Sequence, residues 1–253
     1  MLDTIDLLNP WAIAIGLNAV LLAIAWLLPK KLLTPLGNLN AWILGVLVWG
    51  TLGWQGYVVV VFYFIVGSVL TFIGMAEKEA EGIAEERSGV RGAGNVWSSA
   101  LTATICAIAT LFCASAITEV LILAYVASFC TKLSDTTASE VGKAYGKRTF
   151  LITTLKPVPR GTEGAVSLEG TVAGAIASIV LALIAWGIGM ISWLGIIWCA
   201  IAAFIATTVE SLIGATLESR FTWLTNDLVN FINTAIGAIV AILLALTWNY
   251  LII

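Results

Sequence analysis

The 253-residue sequence contains no histidine. That removes the commonest metal ligand and the commonest general base. Any catalysis must therefore rest on carboxylates, lysine, arginine, hydroxyls and a hard cation. Charge is also scarce: Asp, Glu, Lys and Arg together make up 11% of the chain, against about 25% in soluble domains. A soluble fold could not cover its own surface with so few. The four cysteines, Cys106, Cys113, Cys130 and Cys199, sit in apolar stretches and form no C-x-x-C pair, which argues against a redox or metal centre. The formal net charge of −3 gives no basic footprint for nucleic acid. The opening residues, Met1 to Asp6, lack the positive segment of a secretory signal, so the first apolar run reads as a membrane span.

What is abundant is apolar. Hydrophobic residues make up 60% of the chain, and the mean hydropathy is +1.02. The repeated runs must face lipid or one another. They predict an all-α, polytopic transmembrane bundle of about eight spans, near 11–28, 35–52, 56–74, 96–114, 118–133, 166–190, 192–215 and 229–252. The count falls to seven if the Gly187–Trp193 stretch is not a turn. The fifth span is short and is expected to run on as a helix. With these spans all 12 Lys and Arg residues fall on one side; dropping or adding a span would scatter them. The positive-inside rule then predicts that this side is cytoplasmic, or stromal in a plastid, with both termini extracytoplasmic. Trp11, Trp26, Trp49, Trp54, Trp97, Trp186, Trp193 and Trp223 fall near span ends, as an aromatic belt does. The chain reads as one membrane domain, 1–253, with polar loops at about 75–95, 134–165 and 216–228.

These loops hold the residues able to do chemistry. The first is expected to extend span three as a helix to Gly89, which would put Glu77, Glu81 and Glu85 on one face. A solvated helix end with a Lys78–Glu81 ion pair accounts for the same run. Arg87 and Arg91 stand among glycines before Asn95, where a helix N-terminus favours an anion. In the second loop Asp135 and Ser139 share a helix face, and Glu140 lies about 140° round from Asp135 at 100° per residue. Carboxylates this near hydrocarbon need a partner or a cation; helix-end capping is the plainer explanation.

Further along, Thr154, Lys156, Arg160, Gly161, Thr162, Gly164 and Ser167 combine hydroxyls, cations and glycines with stiffening prolines. This suits a phosphate cradle, although no Walker A motif is present. Glu210 lies inside the seventh span, a functional candidate or half of a structural pair. Asn226, Asn230 and Asn233 form one stripe entering span eight, beside Asp227. The stripe reads either as interhelical hydrogen bonding or as an oxygen-rich ligand or cation site.

Several of these segments together resemble a known family. They are Gly67-Ser68 through Asn95-Val96; Ser134-Asp135-Thr136-x-Ala138-Ser139-Glu140-x-Gly142; Thr153-Thr154-Leu155-Lys156-x-Val158-Pro159-x-Gly161-Thr162-x-Gly164-x-Val166-Ser167; Glu210-Ser211-Leu212-x-Gly214-Ala215-Thr216-Leu217; and Thr225-Asn226-Asp227-x-Val229-Asn230-Phe231-x-Asn233. The sequence is similar, from residue 35 onward, to the integral-membrane family that contains plant and cyanobacterial phytyl-phosphate kinase. Glu210 stands where that family often carries Asp. The resemblance implies transfer of a nucleoside triphosphate's γ-phosphate to an isoprenyl monophosphate, phytyl phosphate foremost, with CTP as the expected donor. On that reading the expected catalytic residues are Asp135, Glu140, Lys156, Arg160 and Asp227. Mg²⁺ is expected on Asp135, Glu140, Glu210 and Asp227. Lys78, Glu85, Arg87, Arg91, Asn95, Ser139, Thr154, Gly161, Thr162, Gly164, Ser167, Asn226, Asn230 and Asn233 are expected to bind nucleotide or lipid phosphate. The expected partners are the isoprenyl phosphate, the nucleotide and membrane lipids, with no nucleic acid. A UbiA-like prenyltransferase would need further Asp where Asn230 and Asn233 stand. A transporter or flippase for an anionic lipid would need more polarity through the mid-bilayer.

Overall fold

A chain this apolar satisfies its backbone in hydrocarbon by winding into helices. The computed structural model describes residues 9–27, 29–218, 220–221 and 223–252 and shows eight α-helices among them: α1 (Pro10–Leu27), α2 (Pro35–Phe72), α3 (Met75–Ala80), α4 (Ala93–Ala109), α5 (Ser115–Tyr145), α6 (Leu168–Gly187), α7 (Trp193–Ile213) and α8 (Asn226–Ile252). Six of them are long and apolar enough to cross a membrane, and α4 is a shorter apolar helix. Local chemistry sets several starts. The Thr34 hydroxyl accepts from the Gly37 amide at 3.0 Å with Pro35 in the first turn, and Ser167 accepts from the Gly170 amide at 3.1 Å.

The 38-residue α2 is two arms. Gly53 has φ 65° and ψ −158°, a conformation open to glycine and strained for other residues. Arg91 touches Gly37 near one end of α2 and Gly67 near the other, and the Trp49 and Tyr57 rings meet at 5.2 Å. A straight helix rising 1.5 Å per residue would hold residues 37 and 67 about 45 Å apart, so the chain doubles back at Gly53. Counting each arm, and α4, restores the eight expected crossings. The Gly187–Trp193 stretch is the expected turn, with α6 ending at Gly187 and α7 starting at Trp193.

All three polar loops gather at one end. Arg160 pairs with Glu81 at 2.5 Å, Lys143 with Glu85 at 3.4 Å, and Ser98 donates to Asp227 at 3.1 Å. The opposite end holds Gly53, the α4–α5 and α6–α7 turns, and the outer ends of α1 and α8, where Trp198 meets Trp248. Asp3 and Asp6 lie outside the described residues.

Helix α5 is the axis of the bundle. It packs on α2, α4, α6, α7 and α8, and Tyr125, Phe129 and Leu133 are fully buried. The Tyr125 hydroxyl is satisfied by the Gly56 carbonyl at 2.7 Å. Small residues let α6 lie against it: a Cβ on Gly174 would stand 2.7 Å from the Ser134 carbonyl, the close backbone approach typical of membrane helix pairs. Gly174→Leu should therefore lower stability by about 1–3 kcal/mol, read as earlier thermal unfolding in detergent.

One expectation about the loops needs correction. The helix after span three does not run to Gly89: it breaks at Gly74, and α3 ends at Ala80. The shared face of Glu77, Glu81 and Glu85 is thereby lost, and Lys78 does not pair with Glu81. The second loop opens as expected, with α5 continuing as a helix to Tyr145. A small antiparallel pair then follows, β1 (Thr149–Leu151) with β2 (Ala165–Ser167), and Phe150 stands opposite Val166. It pins the base of the 152–164 segment.

Candidate active site at the polar end of the bundle

The converging loops enclose a cavity of about 1100 Å³. Its floor is polar and partly intramembrane. Lys132 projects from α5 toward α8 and donates to Asp135 at 2.6 Å and to Asn230. Glu210, on the adjoining α7, is a close neighbour of both Lys132 and Asp135. Asn233 donates to Glu210 at 2.5 Å, and Asn230 donates to Asn226 at 3.2 Å. One ammonium thus sits between two acids and a ladder of amides, an arrangement that offsets the cost of these charges near hydrocarbon. The ladder is incomplete at its deepest point: the Oδ1 of Asn233, a residue only 1% exposed, has no hydrogen-bond partner.

A second acid occupies the facing wall. Asp227, in the first turn of α8, accepts from Ser98 at 3.1 Å and from Asn95 at 3.4 Å. Asn95 also caps α4 through the Gly92 amide at 2.9 Å and accepts from Arg87 at 2.8 Å. Gly94 leaves room for the Asp227 carboxylate, which a Cβ there would strike. Among the described residues Asp227 has no cationic partner within ion-pair distance. Arg91, nearby, likewise has no carboxylate partner; its guanidinium donates to the Tyr63 hydroxyl at 3.2 Å and lies 5.5 Å from that ring.

Most of the residues singled out from sequence line this one cavity: Glu85, Arg87, Arg91, Asn95, Asp135, Ser139, Glu140, Gly161, Thr162, Gly164, Ser167, Glu210, Asn226, Asp227 and Asn230. Asn233 lies just beneath, bonded to Glu210. Lys78, Thr154, Lys156 and Arg160 do not line it. Lys156 and Thr154 are exposed on the loop beyond β1, and Arg160 is engaged by Glu81 and the Ala144 carbonyl. The four acids expected to share a metal do not come together. Asp135 and Glu210 meet, Asp227 stands across the cavity, and Glu140 is bound by Lys78 in a buried pair. No group of three or more acids or cysteines suited to a metal ion occurs among the described residues. The glycines of the expected cradle work by packing. Gly164, at φ 72°, presses on the Ser211 carbonyl and Ala215 and so fastens the loop to α7.

Sequence reasoning passed over Lys132, Ser98 and Tyr63. Lys132 carried a usable signal, since an ammonium at the end of an apolar span, three residues before an acid, seldom lacks a function. Ser98 and Tyr63 carried none, because only the fold brings them to Asp227 and Arg91.

Fold and site define a polytopic helical membrane protein with a deep polar cavity opening at one end of the bundle. By sequence the chain belongs to the family described as Integral membrane protein DUF92, whose model matches residues 18–238. It is 63% identical to an uncharacterized membrane protein of Synechocystis sp., over 92% of this chain and 90% of the relative. It is 43% identical to Protein VTE6, chloroplastic, of Arabidopsis thaliana, over 92% of this chain and 72% of the relative. An uncharacterized membrane protein of Methanocaldococcus jannaschii is 28% identical, over 83% of this chain and 85% of the relative. No solved structure matches.

Proposed function

We propose that the protein is a membrane-embedded kinase. It transfers the γ-phosphoryl group of a nucleoside triphosphate, CTP foremost, to an isoprenyl monophosphate such as phytyl phosphate, giving the diphosphate. The observation that carries this reading is the meeting, in one cavity, of a cation-free acid, Asp227, with a carboxylate-free cation, Arg91, beside the Asp135–Lys132–Glu210 floor. The family resemblance and the 43% identity to a chloroplast relative support it. Phosphoryl transfer needs positioning and charge neutralisation more than covalent chemistry. A monophosphate with a second pKa of about 6 is already an oxyanion at neutral pH, so the absence of histidine removes nothing essential.

In this reading the acceptor oxygen attacks the γ-phosphorus, the bond to the β-bridging oxygen breaks, and the nucleoside diphosphate leaves. The neighbouring Asp135 and Glu210, or Asp227 on the facing wall, would offer one or two of the hard oxygen ligands that Mg²⁺ prefers, with substrate phosphates supplying others. Bound there, the metal would neutralise phosphate charge. Arg91 and Arg87 orient phosphates from the α4 side, and Lys132 holds the acids in register. The polar end faces cytoplasm or stroma, where nucleotides are found. Reporter fusions should report residues 85 and 160 on that side and both termini opposite.

The test is a radiolabelled-nucleotide assay of purified protein with phytyl, geranylgeranyl and farnesyl monophosphates. Labelled diphosphate is expected; no transfer from any nucleotide to any of the three would remove the kinase reading. Within it, Arg91→Ala should lower kcat/KM by about 10- to 150-fold, the worth of a charge-assisted hydrogen bond at 1.5–3 kcal/mol. Lys156→Ala should stay within about two- to threefold of wild type, as surface changes do. Equal losses in the two variants would place the exposed loop over the substrate.

A further inference from the structure

Beside the polar cavity lies a second cleft of about 400 Å³. Its walls are α1, both arms of α2 and the start of α4, contributed by side chains such as Leu22, Ala25, Ala41, Leu44, Val60 and Phe64. The two spaces share Tyr63, Arg91, Asn95 and Ser99. The charges on its wall, Lys30, Lys31 and Arg91, belong to the polar end of the bundle. The far end is shut by Asn18, Gly45 and Tyr57. There the Tyr57 hydroxyl donates to Asn18 Oδ1 at 2.8 Å and Asn18 Nδ2 donates to the Ala14 carbonyl at 2.9 Å. Those polar atoms are satisfied within the protein, and a Cβ on Gly45 would run into Asn18. Gly67 touches Arg91 and Tyr57 lies three helical turns further along the same arm, so the cleft runs about 15 Å at 1.5 Å per residue.

We propose that this cleft holds the hydrocarbon tail of the lipid phosphate. Arg91 grips the headgroup at the junction, and the Asn18–Tyr57 pair ends the tail channel. The identity of the occupant, a single-tailed prenyl phosphate, rests on the kinase reading. The chemistry of the site carries the rest. A channel that is apolar along its length and cationic at one end matches a molecule with one apolar chain and one anionic terminus. Arg91 is suited to that terminus: among the described residues its guanidinium hydrogen-bonds the Tyr63 hydroxyl alone and lies near the rings of Tyr63 and Phe64, the latter at 5.9 Å, which leaves N–H groups for phosphate oxygens. The tail reaches the cleft sideways from the bilayer. Helix α1 packs chiefly on α2 and is the least enclosed of the six long helices, with only Ala14 and Asn18 buried. The phosphate then arrives at the edge of the catalytic cavity without the tail leaving an apolar environment.

The experiment uses the full chain in nanodiscs and a geranylgeranyl monophosphate carrying a photoreactive diazirine in its tail. Crosslinks should map to α1 and to both arms of α2. Unlabelled geranylgeranyl monophosphate should suppress them, and geranylgeraniol should compete about tenfold less well, for want of the charged contact. Filling the channel by Ala25→Phe or Ala41→Phe should cut labelling while leaving thermal unfolding unchanged. The same changes should raise KM for the geranylgeranyl substrate more than for isopentenyl monophosphate, whose short tail occupies little of the channel. Crosslinks confined to the lipid-facing surfaces of α6 and α7, or labelling unaltered in both folded filling variants, would overturn the proposal. Dioleoyl phosphatidic acid competing as well as the prenyl phosphate would do the same, by making the cleft a general phospholipid site. Labelling in the cleft without transfer from any nucleotide would sink the kinase reading and leave the cleft standing. Transfer with labelling elsewhere would sink the cleft alone.

Discussion

Asp227→Asn is expected to abolish phosphoryl transfer, by about 100- to 1000-fold or more, while the protein remains folded and extractable. Deleting one preorganised electrostatic group in a shielded site costs about that much, and the loss deepens if the group also carries a metal. The fold should tolerate the change: Asp227 is partly exposed, and its partners Ser98 and Asn95 are hydrogen-bond donors that an amide oxygen can still satisfy. Asp135→Asn should cut turnover comparably but also cost some stability, because Lys132 would lose the carboxylate it bonds at 2.6 Å. Raising the Mg²⁺ concentration should recover part of the Asp227→Asn rate if its role is to hold metal. Normal turnover in both variants would remove these acids from the mechanism.

What the sequence made legible follows a physical pattern. Span number and the one-sided gathering of basic residues come from composition along the chain, and both appear in the fold, including the break between spans two and three at Gly53. The Asn226–Asn230–Asn233 stripe was legible too, because a helix face is fixed by spacing alone. Asn230 and Asn233 are indeed interior, and both bond to side chains of other helices. Partner choice was not legible. Lys78 had acids at close spacing on both sides, yet its partner is Glu140, 62 residues away. The left-handed Gly74, with φ 62°, turned the chain out of the helix and made the local pairings moot. The β1–β2 pair escaped notice because three-residue strands in a Thr- and Pro-rich segment lack the alternation that marks a strand. Lys156 and Arg160 looked like a clamp by composition, but the loop's stiff path exposes one and ties the other to Glu81.

That distant pairing sets up the other large effect. Lys78 is 1% exposed and Glu140 2%, and the ammonium also donates to the Thr71 carbonyl at 2.8 Å. The three groups fasten α3, the end of α2 and the C-terminal part of α5 into one strut at the cavity wall. Removing one partner leaves a buried, uncompensated charge, which costs about 3–5 kcal/mol. Glu140→Leu and Lys78→Met should each unfold the protein at markedly lower temperature, and activity should fall with the folded fraction. Replacing both partners by apolar groups of similar size is often neutral, so the Lys78→Met/Glu140→Leu double variant should regain most of the lost stability. Its turnover separates two roles. If the pair is a strut, as its closure on itself and on the Thr71 carbonyl argues, the double variant should transfer phosphate within about tenfold of wild type. A double variant that melts like wild type yet transfers nothing would show that Glu140 or Lys78 touches the substrate. A double variant no more stable than either single would show that the charges themselves hold the loop against α5.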